Sequence, residues 1–236
     1  MKNMKKLILR YSFEFVVIIL GILISLLLEQ RRQFGIETEL KNRILKQLVN
    51  VIEEDINQID GFIYLQNFSL KSCDKIFENL SNNNSIQEDS IVFHLSSVGR
   101  ALRSFFPQES IFNQLLSSDL IKMIESEELK TKLFKLYNED LRRHDVHTKE
   151  YDNFFLKFNY SLSENFFLQD NWSSSPIDDN PIRISSYRFN EKYYQSNKLF
   201  SDIIESKSSI IQYLQELVAL KKSFHELKDL CLRELN

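Results

Sequence analysis

The 236 residues carry 30 basic and 33 acidic side chains, a net charge of −3 without long blocks of one sign, and so offer no basic surface for DNA or RNA. Four Gly and three Pro are too few for the turns of a sheet or of a nucleotide-binding α/β fold. With 43% hydrophobic residues the chain can bury one sizeable core, and an all-α fold of long helices is the expectation.

Residues 1–6 are short and basic, and residues 7–28, LILRYSFEFVVIILGILISLLL, form the long apolar run. Twenty-two helical residues rise about 33 Å, enough to cross the hydrocarbon core of a bilayer. A cleaved signal peptide competes with this reading, because Lys2, Lys5, Lys6 and Arg10 precede the apolar core. The sequence that follows, EQRRQFGIETELKNR, lacks a small-residue cleavage site and favours helix, so an uncleaved single-pass anchor is expected, with the lipid bilayer as its first partner. Positive charge slightly exceeds, on the amino side, that of Arg31, Arg32, Lys41 and Arg43 beyond the run. That bias predicts a bacterial inner-membrane protein whose carboxy-terminal domain is periplasmic.

At 100° per residue, Arg10, Glu14, Gly21 and Ser25 fall within about 60° of one another on the anchor. Glu14, Gly21 and Ser25 therefore form a candidate association face, since Gly21 and Ser25 make a small-xxx-small step that lets two helices approach. The alternative is that Glu14 lies near the interface, pairs with Arg10 one turn earlier and snorkels.

Residues 29–80 read as a juxtamembrane continuation of the same helix. Leu45, Val49, Ile52, Ile56, Ile59 and Ile63 follow a 4,3,4,3,4 spacing, and after Gln66 the series resumes at Leu70, Cys73, Phe77 and Leu80. Such a seam serves one arm of an intramolecular bundle or a parallel coiled coil that makes a homo-oligomer. The bundle is preferred because residues 81–236 supply further helices to cover it.

Residues 81–90, SNNNSIQEDS, read as the first loop. Ile91, Leu95, Val98, Leu102 and Phe105 predict a short helix up to Phe106, stopped by Pro107. The next stretch holds two short apolar turns separated by Ser117 and Ser118. Ser126, followed by Glu127 and Glu128, is the expected N-cap of a helix running to about Phe167. Residues 169–185, with the only Trp and two prolines, break the helical pattern, and residues 196–236 are again amphipathic and can close the bundle.

Two stretches resemble a known family: FEFVVIILGILISLLLEQRR, and IFNQLLSSDLIKMIESEELKTKLFKLYNE at residues 111–139. They are similar to DUF6090-like bacterial single-pass membrane proteins of unknown function, common in Bacteroidetes. Phe112, Leu115, Ser117, Ser118, Leu120, Ile121, Leu129 and Tyr137 occupy matching places. This chain has Asp119 where that family carries Gly after the serines, Phe13 for the Gly before Glu14, and Glu-Gln-Arg-Arg for the usual Asn-Asn-Trp-Asn after the anchor. The resemblance covers about a quarter of the chain and implies an anchored helical protein, with no activity attached.

Few residues suggest chemistry. His144 and His147, with Asp145 and Glu150 nearby, could form half of a metal site, but a solvated charged face explains the same letters. The 19 Phe and nine Tyr are expected in the core, the alternative being a hydrophobic groove near Trp172. The carboxylate groups Glu53, Glu54, Asp55 and Asp178, Asp179 read as solvated. No phosphate loop, nucleophile elbow or Ser/His/Asp order is visible, so no catalytic residue, metal or cofactor is assigned and an enzyme is not expected. Cys73 and Cys231 could pair in the periplasm or remain buried free thiols. The expected role is interaction or scaffolding at the envelope with an unknown protein partner, the alternative a ligand-binding sensor on a single-pass anchor.

Overall fold

A computed structural model describes residues 2–82, 87–170 and 184–235. The first helix, α1, spans Lys2–Asn82 without interruption, so the apolar run and the juxtamembrane segment are one rod of 81 residues. The helices α2 (Glu88–Gly99), α3 (Ser110–Ser117), α4 (Glu127–Lys135), α5 (Leu141–Asn165), α6 (Glu191–Tyr194) and α7 (Asn197–Leu235) pack along its carboxy-terminal half.

The main partner of α1 is α7, and the two run antiparallel. Lys207 meets Asp74 at 2.6 Å, Lys221 meets Asp60 at 2.5 Å and Lys228 meets Glu53 at 2.7 Å, three rungs whose numbering runs in opposite senses. These pairs are partly exposed and each contributes little energy, but together they fix register. Between them, Leu45, Val49, Ile52, Ile56 and Ile59 of α1 are buried with Ile210, Leu217, Phe224 and Leu227 of α7, so the seam is covered within one chain.

At the foot of the bundle Lys41 and Glu234 form a buried ion pair at 2.9 Å. Glu234 also accepts from the backbone N–H of Glu125 at 2.8 Å and of Ser126 at 3.0 Å, tying the entry to α4 to both long helices. Burial alone would raise the Glu234 carboxyl, but these donors outweigh it and hold the group below the usual carboxylate range.

The structure corrects several expectations. The second helix ends at Gly99, not Phe106. Residues 100–109 instead run irregularly, because side chains of three helices satisfy their backbone. Gln66 Nε2 donates to the carbonyls of Ala101 and Arg103 at 3.1 and 3.2 Å, and Tyr213 Oη accepts from Phe105 N–H at 2.7 Å. Asn159 Nδ2 donates to the Gly99 carbonyl at 2.9 Å, and a Cβ at Gly99 would lie 2.2 Å from that amide's oxygen. Gln66 is thus a buried anchor for this strap and not a gap in the seam. Phe77, expected in the seam, is partly exposed and stacks on Phe200 at 5.5 Å.

Ser126 caps α4 as expected, its Oγ accepting from Leu129 N–H at 3.1 Å. The helix that it starts contains a π-helical turn at Leu136–Asp140 before α5 and ends at Asn165. The extra residue in that turn lets both Leu136 and Tyr137 face the core, where Tyr137 stacks on Phe112 at 4.3 Å. Between α3 and the 3-10 turn Leu120–Met123, Asp119 adopts φ 59°, a left-handed conformation that Asp tolerates better than most residues. The long break in helical pattern is flanked by a small antiparallel pair, β1 (Phe167–Asp170) with β2 (Ile184–Arg188), an element the sequence pattern did not suggest.

Candidate functional site

The described side chains from 11 to 37 of α1 are exposed on every face, including Phe13 and the whole stretch Phe15–Leu28. By length and hydropathy this is the one described helix able to cross a membrane, and none of its apolar window is buried. Glu14, Gly21 and Ser25 all lie on this exposed length. Nothing lies within 4 Å of a Cβ built on Gly21. Ser25 Oγ donates to the Gly21 carbonyl at 2.9 Å, which leaves the pair small and its hydroxyl occupied within the helix. The Arg10 side chain lies outside the described residues, as do Trp172, Asp178 and Asp179.

The second candidate is a cleft of about 630 Å³ between α5 and α7. His147, Glu150 and Phe154 form one wall and Glu205, Gln212 and Glu216 the other, over a floor of Tyr151 and Tyr213. The floor is built by an aromatic stack: His144 lies on Tyr213 at 5.8 Å, and Tyr213 on Tyr151 at 4.4 Å. Below it, Tyr151 Oη donates to Gln66 Oε1 at 2.7 Å, so the floor is pinned to α1. Burial raises both phenols above the ordinary tyrosine range, and both stay protonated.

His144 corrects the expectation of a solvated face, for it is only 4% exposed. Its Nε2 lies 3.3 Å from the Phe105 carbonyl and 3.2 Å from the Thr148 hydroxyl. Its Nδ1 faces Glu216 Oε2 at 3.5 Å, too long for a hydrogen bond, and both atoms are buried without one. Glu216 Oε1 contacts His147 Nδ1. One carboxylate from α7 therefore stands between two histidines of α5, a juxtaposition hidden from sequence because Glu216 is 69 residues from His147. Among the described residues no group of three or more His, Cys, Asp or Glu is arranged to hold a metal ion.

A third feature is in the core. Asp55, expected to be solvated, is 0% exposed; Oδ2 accepts from Gln108 N–H at 3.2 Å and Oδ1 has no hydrogen bond. Burial pushes its carboxyl up to about 6 against the lowering effect of the Gln108 N–H. Tyr137 Oη, on the π-helical turn, is likewise buried without a hydrogen bond. Glu53 and Glu54 beside Asp55 are engaged at the surface, by Lys228 and by Gln108 Nε2.

Cys73 and Cys231 are both free and buried, and burial pushes each thiol up to about 12. Asp74, next to Cys73, meets Lys207, and Cys231 lies 24 residues further along α7, about 36 Å away, so the two cannot pair. A second cleft of about 620 Å³ is lined by Phe62, Leu102, Phe106, Asp152 and Leu156. No family model, no curated protein and no solved structure matches this chain.

Proposed function

We propose that the chain is a single-pass, membrane-anchored scaffolding or interaction protein of a bacterial envelope. The observation that carries this is the apolar first half of α1, exposed on all sides although the same helix continues into a well-covered bundle. A soluble chain gains nothing from holding so many large apolar side chains in water, whereas a bilayer removes that cost. Residues 29–37, exposed but no longer continuously apolar, then serve as a stalk of about 13 Å between lipid and bundle. Gly21 and Ser25 offer the anchor a close-packing face for a second copy. The left-handed Asp119, where DUF6090-like proteins carry Gly, supports kinship with that family.

Membrane fractionation of the full chain tests the anchor: sedimentation with membranes that resists high salt and alkaline extraction supports it, and recovery in the soluble fraction ends it. For orientation, Cys73 and Cys231 are replaced by Ser and exposed Ser117 by Cys. Labelling of intact cells by a thiol reagent that cannot cross the inner membrane supports a periplasmic bundle. Protection until lysis reverses the topology. Loss of dimer crosslinking in Gly21→Leu supports anchor association, and an unchanged yield removes it. A second reading, a ligand-binding sensor, is favoured by the cleft between α5 and α7.

A further inference from the structure

We infer that the cleft beside the strap at 100–109 takes an extended segment of a partner polypeptide, which pairs its backbone with the strap and sets a carboxylate against Arg103. The assignment deepens the interaction reading and rests on it. Backbone groups of the strap fall into two alternating sets. One is engaged from inside the bundle: the Ala101 and Arg103 carbonyls accept from Gln66, and the Phe105 N–H donates to Tyr213. The other set, the N–H groups of Ser104 and Phe106 and the carbonyls of Leu102 and Ser104, has no hydrogen-bond partner among the described residues. Such a row of unpaired groups is what an added strand pairs with.

The residues that carry the free row, Leu102, Ser104 and Phe106, line the cleft of about 620 Å³, and Phe105 does not. Ser104 is only 9% exposed, so leaving its N–H and carbonyl without partners is costly. Phe62 and Leu156 complete an apolar lining to which the exposed Phe106 ring contributes. An extended peptide meets both demands, because its backbone edge pairs while alternate side chains cover apolar surface. The wall on α5 from Lys149 to Leu156 is about 10 Å long, the span of three extended residues.

Charge gives the sign of the partner. Asp152 accepts from the Ser104 hydroxyl at 2.8 Å, and Lys149 meets Asp145 at 2.5 Å. The Arg103 guanidinium has no hydrogen bond or ion pair among the described residues, and its planar fork matches a side-chain or terminal carboxylate. A lipid surface is the wrong occupant, since from Leu28 to Phe62 the same helix rises about 51 Å. A free anionic amphiphile could satisfy Arg103 and the apolar lining, but its acyl chain has nothing to pair with the backbone row.

Fluorescence anisotropy of the full chain in lipid nanodiscs tests this, the probe being a labelled hexapeptide pool X-Thr-X-Thr-X-Asp with X as Val, Leu or Phe. Saturable binding is expected. N-methylating alternate amides removes donors from one edge of an extended peptide only, so one of the two alternately methylated pools should lose at least tenfold in affinity while the other keeps it. Arg103→Gln, which leaves the strap carbonyl in place, should weaken binding by about tenfold and flatten its salt dependence. Leu156→Asn, at an exposed site, should weaken it with the thermal midpoint held. No saturable binding, equal affinity of the two methylated pools, displacement by decanoate at lower concentration than by unlabelled peptide, or unaltered affinity in both variants would overturn the assignment. Each of these leaves the anchor standing, and recovery of the chain in the soluble fraction leaves peptide binding by the bundle standing.

Discussion

The two halves of α1 are one helix by backbone and two different objects by side chain. From 13 to 37 each residue is exposed, whereas from Lys41 onward the helix buries a stripe on one side and shows charge on the other. The first half has no periodicity because lipid, if it surrounds the helix, asks the same of every face. The second half is periodic because its neighbours lie on one side only. Continuity of hydrogen bonding along the backbone is thus compatible with a complete change of surroundings, from exposed on every face to packed on one, and the packed part opens at the buried Lys41–Glu234 pair.

Mutations in the two halves should therefore diverge. Leu48→Ala, at a fully buried site, should cost about 3–4 kcal/mol in denaturant unfolding followed by circular dichroism. Leu20→Ala should leave the same transition in place; a matching loss would show that the outer half packs on something within the chain. Glu234→Ala strands the Lys41 ammonium in a buried site and should cost about 3 kcal/mol. Breaking the exposed Arg32–Glu29 pair should be silent by the same measurement.

Gln66→Leu keeps the helix and adds apolar volume, yet should cost about 2 kcal/mol, because Tyr151 Oη and the Ala101 and Arg103 carbonyls lose their partner. Amide exchange in residues 100–108 should rise most, and uniform exchange across the bundle would argue against a strap held by that one side chain. A smaller effect than at Gln66 is expected at Asp55. Its folded carboxyl titrates at about 6 against 3.8 for the free group, so the folded state holds the extra proton between those values. Stability from this group is therefore greatest below about pH 4 and falls as pH rises to about 6, after which it stays low. Asp55→Asn should flatten that slope and raise stability at neutral pH by about 1–2 kcal/mol; an unchanged slope would assign the titration elsewhere.

The bundle seam, the cap at Ser126, the closing helix α7 and the continuity of α1 were legible because each depends on neighbours within one or two turns. The strap at 100–109 was not, since Leu102 and Phe105 keep helical spacing in sequence. What ends α2 is a set of polar side chains on α1, α5 and α7, with Gln66 and Asn159 donating to carbonyls and Tyr213 accepting from the Phe105 N–H, that outbid the helix for these groups. The π-helical turn was hidden for a related reason: one extra residue leaves no mark in composition, and only the fit of Tyr137 on Phe112 shows why it is there.

By itself the sequence determined the helical class, the apolar rod and the face of the bundle half that is buried, because periodicity and run length are local properties. Only the tertiary structure decided which acidic residue is solvated and which is buried, for Glu53, Glu54 and Asp55 are adjacent letters with different surroundings. It alone set Glu216 against His144 and His147, since a contact across 69 residues follows from how two helices pack and not from either helix read alone.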